Sequence, residues 1–222
     1  MVSEDWVASE VRKVIPNASV EATDLHGSGD HFHVRIISED FIGLRPLQRQ
    51  MPVLKHFKKF LEDNSVHALD LKCMTPEQAK TLGNTAFDPH SGKQEFFGIH
   101  VRRPKRSDKM SGFNWTPSEL QEIVDGNELV IFMKGTPEQP QCGFSSRGSQ
   151  IVSAFAREVG LEQFACVNVL SDPRARTALK EWSDFPTIPQ VFVHGELIGG
   201  SDIVLEMFQD GSLLEMYEAG RA

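Results

Sequence analysis

Cys142 is the residue in this 222-residue chain best placed to do chemistry. It closes the loop Lys134-Gly135-Thr136-Pro137-Glu138-Gln139-Pro140-Gln141 and leads Gly143-Phe144-Ser145 into a segment whose Ile151, Val152, Phe155 and Val159 keep helical spacing. A cysteine at a helix N-terminus meets unpaired backbone N–H groups and the positive end of the helix dipole. Both favour the thiolate, the form that attacks disulfides and binds metals. Lys134 adds a cation nearby. Dithiol exchange needs a second cysteine three residues on to resolve a mixed disulfide, and Ser145 stands there instead. The other thiols read differently: Cys166 falls in an apolar strand and Cys73 lies beside Met74, where a thiol acts as a small core group. Three scattered cysteines build no disulfide framework, and an odd count fits a free thiol in a reducing compartment.

The elements that must position Cys142 alternate between helix and strand. Thr116-Pro117-Ser118-Glu119 is a capping box with proline at the first helical position, opening a helix through Leu120, Ile123 and Val124. Leu129–Met133 is a continuous apolar run, as expected of a strand buried on both faces. Phe164 to Leu170 reads as a second strand. Asp172-Pro173 opens a helix with Ala175, Ala178, Leu179 and Trp182 inward. Gln190–Val193 and Glu196–Ile198 form a hairpin about His194-Gly195, and Ser201-Asp202 start the last helical region. This pattern predicts an α/β domain with a small mixed sheet over 112–222.

Residues 1–82 follow a different plan. Val7, Val11, Val14 and Ile15 sit at helical spacing, Val20 to Leu25 reads as a strand, and the turn His26-Gly27-Ser28-Gly29-Asp30 leads to an alternating strand from His31 to Ser38. Pro46 and Pro52 each suit the first turn of a helix, with Val53, Phe57, Phe60 and Leu61 on an apolar face. Val66 to Lys72 closes as a strand. The order helix, two strands, two helices, strand is of the α+β class. Residues 83–111, polar and rich in breakers, are expected to form a linker; its Arg102-Arg103-Pro104-Lys105-Arg106 makes it locally basic.

The net charge of −8 is concentrated in residues 112–222, while the first 80 residues are nearly balanced. That distribution argues against strong phosphate binding and so against a nucleic-acid partner. No apolar run is long enough to span a membrane. The acidic opening Met-Val-Ser-Glu-Asp-Trp lacks the basic region of a signal or transit peptide, and a cytoplasmic location is expected.

Four strings in the second half, Lys134-Gly135-Thr136-Pro137, Pro140-Gln141-Cys142-Gly143-Phe144-Ser145, Trp182-Ser183-Asp184-Phe185-Pro186-Thr187-Ile188-Pro189-Gln190 and Gly199-Gly200-Ser201-Asp202, resemble the monothiol glutaredoxins with a Cys-Gly-Phe-Ser motif. The resemblance implies a thioredoxin fold, bound glutathione, and a 2Fe-2S cluster held by Cys142 and the glutathione thiol. Carried over residue by residue, Lys134, Arg176 and Lys180 would meet glutathione carboxylates. Thr187 and the Ile188-Pro189 bond would pair with its backbone, Phe144 belongs to the motif, and Asp202 and the amide of Ser201 would hold the γ-glutamyl end. Pro189 is expected to be cis.

The first half resembles the BolA family through Gly29-Asp30-His31-Phe32, Phe41-Ile42-Gly43-Leu44, Leu47-Gln48-Arg49-Gln50, His67-Ala68-Leu69 and Thr75-Pro76-Glu77. This implies partnership with monothiol glutaredoxins and an iron ligand at His67. A second ligand would come from the loop between the first two strands, where Ser28 aligns with a cysteine and the imidazoles are His26, His31 and His33. His31 and His33, two apart on a strand, share a face; His26 lies on the turn. The function implied is an iron-sulfur protein that assembles, carries or senses a 2Fe-2S cluster shared between its halves, for iron-sulfur recipient proteins or iron homeostasis. Partners implied are glutathione and either a cluster-bridged homodimer or an intramolecular pairing. The alternatives are a glutathione-dependent monothiol reductase with Cys142 catalytic, and a BolA-type nucleic-acid-binding regulator.

Overall fold

The computed structural model describes residues 2–81 and 113–221, which belong to two separate compact units. The linker expected over 83–111 lies outside the described residues.

In the first unit, α1 (Glu4–Val14) starts at Ser3, whose hydroxyl oxygen accepts the Trp6 N–H at 3.1 Å. Its acidic first turn and basic last turn suit the helix dipole. β1 (Ser19–Asp24) pairs antiparallel with β2 (His31–Ile37), which pairs parallel with β3 (Ala68–Met74) in the order β1-β2-β3. A parallel pair needs a long crossover, supplied by a 3-10 turn at Glu39–Phe41 and by α2 (Pro46–Glu62). The short α3 (Pro76–Thr81) follows β3. The α+β order is as expected, with one correction. Pro46 opens α2, but Pro52 lies inside it and starts no helix of its own. The ring at Pro52 removes one main-chain donor, yet the helix continues because Val53, Leu54 and Phe57 beyond it are buried.

In the second unit, Thr116 and Glu119 form the expected capping box of α4 (Pro117–Asp125). β4 (Leu129–Met133) is buried at every residue. It pairs parallel with β5 (Ala165–Asn168) and antiparallel with β6 (Gln190–Val193), and β6 pairs antiparallel with β7 (Glu196–Gly199), giving the order β5-β4-β6-β7. Val130 and Phe132 join a core with Trp115, Leu120, Val124 and Leu179, side chains of the α4 segment and of α6 (Ala175–Ser183). The alternate residues Leu129, Ile131 and Met133 are buried as well, and α5 (Gly143–Glu158) and α7 (Ser201–Asp210) contribute Ile151, Val152, Phe155, Ile203 and Val204 to the buried set. The apolar run of β4 thus reflects burial on both faces. The last helical region breaks at Gly211, whose φ of +83° ends α7 before α8 (Ser212–Arg221). A central mixed sheet between helices in this order is the thioredoxin fold. None of the described helices is long and apolar enough to cross a membrane.

Candidate functional site

The sheet register brings the predicted residues of the second unit to one end. Lys134 follows the last residue of β4, Met133, which lies opposite Asn168 at the end of the parallel β5. Gln190 begins the antiparallel β6 opposite Phe132, so Thr187, Ile188 and Pro189 arrive at the same edge. Gly199 ends β7 opposite Val191, delivering Gly200, Ser201 and Asp202 there too.

The loop before Cys142 is closed on itself. The Gln141 N–H donates to the Lys134 carbonyl at 2.9 Å, and Gly135 and Pro140 form an isolated antiparallel bridge. Gly135 has a φ of +89°, and a Cβ there would lie 2.3 Å from the Gln139 carbonyl oxygen, so only glycine fits. Asn168 anchors this loop from outside. Its Oδ1 accepts the N–H groups of Gly135 and Leu170, each at 2.9 Å. Sequence reading did not single out Asn168; a polar side chain ending an apolar strand was the available signal.

Cys142 is the N-cap of α5, half-buried, with extended backbone and no capping bond from its side chain. Its thiol therefore stands beside the orphan N–H groups of the first turn of α5. Cys73, 1 % exposed, is placed as expected of a core group. Cys166 is instead half-buried on β5, as Cys142 is on its helix, and burial, aided by the charge of Glu138, pushes its thiol up to about 12. Ser145 is buried, and its Oγ accepts the Lys134 N–H at 3.0 Å.

The Ile188-Pro189 bond is cis, as expected. Gln190, fully buried, donates from Nε2 to the carbonyls of Phe185 at 2.9 Å and Thr187 at 3.2 Å, which shapes the turn before Pro189. Gly148 lets α5 approach that turn and α7 together. A Cβ on it would lie 3.0 Å from Pro189 Cγ and 3.5 Å from Ser201 Cβ. Thr187, Lys180, Phe144 and Asp202 are half-buried, Arg176 on the first turn of α6 is exposed, and Ser201 is buried. Lys134, Thr187, Pro189, Ser201 and Asp202 thus share one end of the sheet with Cys142. The donor set there, one cation, a helix N-terminus and one carboxylate, fits a ligand that carries both carboxylates and an ammonium, as glutathione does.

In the first unit, the imidazoles of His26, His31 and His67 come together. Ring centroids are 5.1 Å apart for His26 and His31 and 5.0 Å for His31 and His67. Asp30 organises them. Its carboxylate meets His31 Nδ1 at 2.8 Å, and its carbonyl accepts the N–H groups of His67 at 2.7 Å and Ala68 at 3.0 Å. The His31 hydrogen bond, then that of Ser28, hold the Asp30 carboxyl below its ordinary range, with the charges of His31 and His67 acting the same way. Asp24 in turn fixes the glycine turn, accepting the N–H groups of His26, Gly27 and Gly29. His33 is used elsewhere: buried, it pairs through Nδ1 with buried Asp70 at 2.7 Å. Among the described residues no three His, Cys, Asp or Glu side chains converge as a self-sufficient metal site.

The glutaredoxin family model matches residues 129–198 and the BolA-like protein model matches residues 8–78. A protein of Synechocystis sp. named as an uncharacterized monothiol glutaredoxin, ycf64-like, is 44% identical over 107 residues, covering 48% of this chain and 95% of its own. The mitochondrial glutaredoxin-related protein 5 of Danio rerio is 49% identical over 96 residues, covering 43% of this chain and 59% of its own. The solution structure of reduced poplar apo GrxS14 shares 37% identity over 49% of this chain and 98% of its own, with a TM-score of 0.41. The second unit is thus a thioredoxin-fold protein of the glutaredoxin class. The chain belongs to the monothiol glutaredoxin family and carries a BolA-like domain ahead of its glutaredoxin domain.

Proposed function

We propose that this protein binds glutathione beside Cys142 and uses both thiols to hold a 2Fe-2S cluster, which it assembles, carries or senses for recipient proteins or iron homeostasis. The observation that carries this reading is Cys142 itself, a half-buried thiol at the N-cap of α5 with a buried serine, Ser145, in place of a resolving cysteine. Thiolate is the ligand that iron-sulfur clusters take, and one protein thiolate leaves the other positions to exogenous donors. Lys134, Arg176 and Lys180 are assigned to the glutathione carboxylates, Phe144, Thr187 and Pro189 to its central part, and Ser201 with Asp202 to its γ-glutamyl end.

The BolA-like half contributes imidazole. His67 is assigned as an iron ligand, with His31 or His26 as the second, and the cluster is shared within one chain or between two chains of a homodimer. Asp30 on His31 Nδ1 supplies the carboxylate partner that orients a metal-binding imidazole. A cytoplasmic placement is part of this proposal; the Danio rerio relative is by its name mitochondrial.

A glutathione-dependent reductase is the second reading, because glutathione can resolve a mixed disulfide on Cys142 where Ser145 cannot. Single serine variants of the three cysteines separate the thiols. After anaerobic reconstitution with iron, sulfide and glutathione, Cys142→Ser should hold no cluster while Cys73→Ser and Cys166→Ser retain it. Equal loss in all three would remove Cys142 from its role.

A further inference from the structure

Arg147 is 5 % exposed, one turn and a half into α5 from Cys142. Burying a guanidinium is costly unless its donors are used. Two of them converge on one atom: Nε lies 3.3 Å and Nη2 3.2 Å from Ser201 Oγ, and the guanidinium carbon sits 5.7 Å from the centre of the Phe144 ring. Ser201 is itself 2 % exposed and is the first residue of α7.

A serine hydroxyl oxygen has two lone pairs and one hydrogen. With both lone pairs taken by Arg147, the Ser201 hydroxyl can act further only as a donor. Among the described residues its hydrogen meets no acceptor. It lies on the residue that begins α7, where the first backbone N–H groups also lack intrahelical partners and the helix dipole is positive. A hydroxyl donor, orphan N–H groups and a nearby guanidinium all call for an anion.

Resting on the glutathione site proposed above, we infer that Arg147 is a positioning residue: it fixes Ser201 Oγ as a hydrogen-bond donor to the γ-glutamyl carboxylate of glutathione at the start of α7. Arg147 does not touch the ligand in this arrangement. It acts by filling the acceptor side of Ser201 and by adding positive charge behind it, so the carboxylate is held by a charge-assisted donor pair of hydroxyl and amide. Gly148 makes the arrangement possible by letting α5 and Ser201 Cβ approach to 3.5 Å of where a Cβ would stand. Selectivity follows, because a thiol that lacks the γ-glutamyl group has nothing for Ser201 to hold.

The test is a titration of the full chain with glutathione and, separately, with cysteinylglycine, followed by backbone amide shifts. Ser201→Ala and Arg147→Met should each weaken glutathione roughly tenfold, the loss of about one charge-assisted hydrogen bond. The double variant should lose no more than either single one, since both remove the same donor. Arg147→Lys, which keeps a cationic donor, should recover part of the affinity, and cysteinylglycine should bind all variants alike. Should Arg147→Met fail to fold, Ser201→Ala and Arg147→Lys carry the comparison. Wild-type glutathione affinity in Ser201→Ala and Arg147→Lys, multiplying losses in the double variant, or an equal fall for cysteinylglycine would overturn the inference. A wild-type chain that does not bind glutathione, or an Asp202→Asn variant that binds it unchanged, would overturn the site reading on which the inference rests, and the inference with it.

Discussion

The Ser145 hydroxyl oxygen accepts the backbone N–H of Lys134 at 3.0 Å and is fully buried. The position at which a dithiol protein carries its resolving cysteine is therefore filled by a tie between the first turn of α5 and the loop that carries Lys134. Monothiol character here is more than a missing sulfur. The serine fixes the approach of Lys134 to Cys142 as a cysteine, a weaker acceptor, would not.

Ser145→Ala should accordingly destabilise the glutaredoxin unit by about 1–3 kcal/mol, the cost of leaving a donor unpaired. Urea unfolding followed by tryptophan fluorescence measures the loss. A midpoint unchanged from wild type would mean that water replaces the hydroxyl without cost.

Thiol reactivity should divide the three cysteines. Burial and the charge of Glu138 drive the Cys166 thiol up to about 12 and Cys73 is only 1 % exposed, whereas Cys142, half-buried like Cys166, stands at a helix N-terminus. Brief treatment of the native chain with iodoacetamide at neutral pH, read by peptide mass spectrometry, should label Cys142 and spare the other two. Labelling of Cys166 at a comparable rate would show that its thiolate is far more populated than its surroundings allow.

Much of this arrangement was legible in the sequence because the determining signals are local. The Thr116–Glu119 capping box, the two-face apolar run of β4 and the loop-to-helix step at Cys142 each declare themselves within a few residues. The supports of the site were not legible, because they join distant positions. Asn168 reaches Gly135, Arg147 reaches Ser201, and Gln190 turns back on Phe185 and Thr187 with no periodicity to mark it. Pro52 misled in the opposite sense. Its intrinsic preference for a helix start was overridden by burial of the residues that follow it. Among the histidines, alternation put His31 and His33 on one face but could not reveal that Asp70 occupies His33 while Asp30 orients His31.

The Asp30–His31 pair gives the BolA-like unit a defined acid dependence. The Asp30 carboxyl is held below its ordinary value of 3.8, first by the His31 hydrogen bond, so its contribution to stability is fully present above that value and is lost as pH falls through its lower folded value. Asp30→Asn should therefore be less stable than wild type at neutral pH, and the difference should close in acid. Urea midpoints collected from neutral pH to below 3.8 test this, and a gap independent of pH would mean that the bond acts without its charge.

Replacing His67 tests the proposed sharing of a cluster between the halves. With imidazole on one iron, a cluster should have a higher reduction potential and a different visible spectrum from one ligated by sulfur alone. His67→Ala should keep a cluster, because Cys142 and glutathione remain, while its spectrum moves toward the all-sulfur form. A spectrum identical to wild type would remove His67 from the ligand set and leave the BolA-like half without iron chemistry at that position.

If Cys142 and glutathione together hold the cluster, as proposed, the visible spectrum of the full chain after anaerobic reconstitution with iron and sulfide must depend on glutathione. A brown chromophore should form only when glutathione is present. A protein that stays colourless with glutathione, or that colours equally without it, would overturn the shared-thiol site.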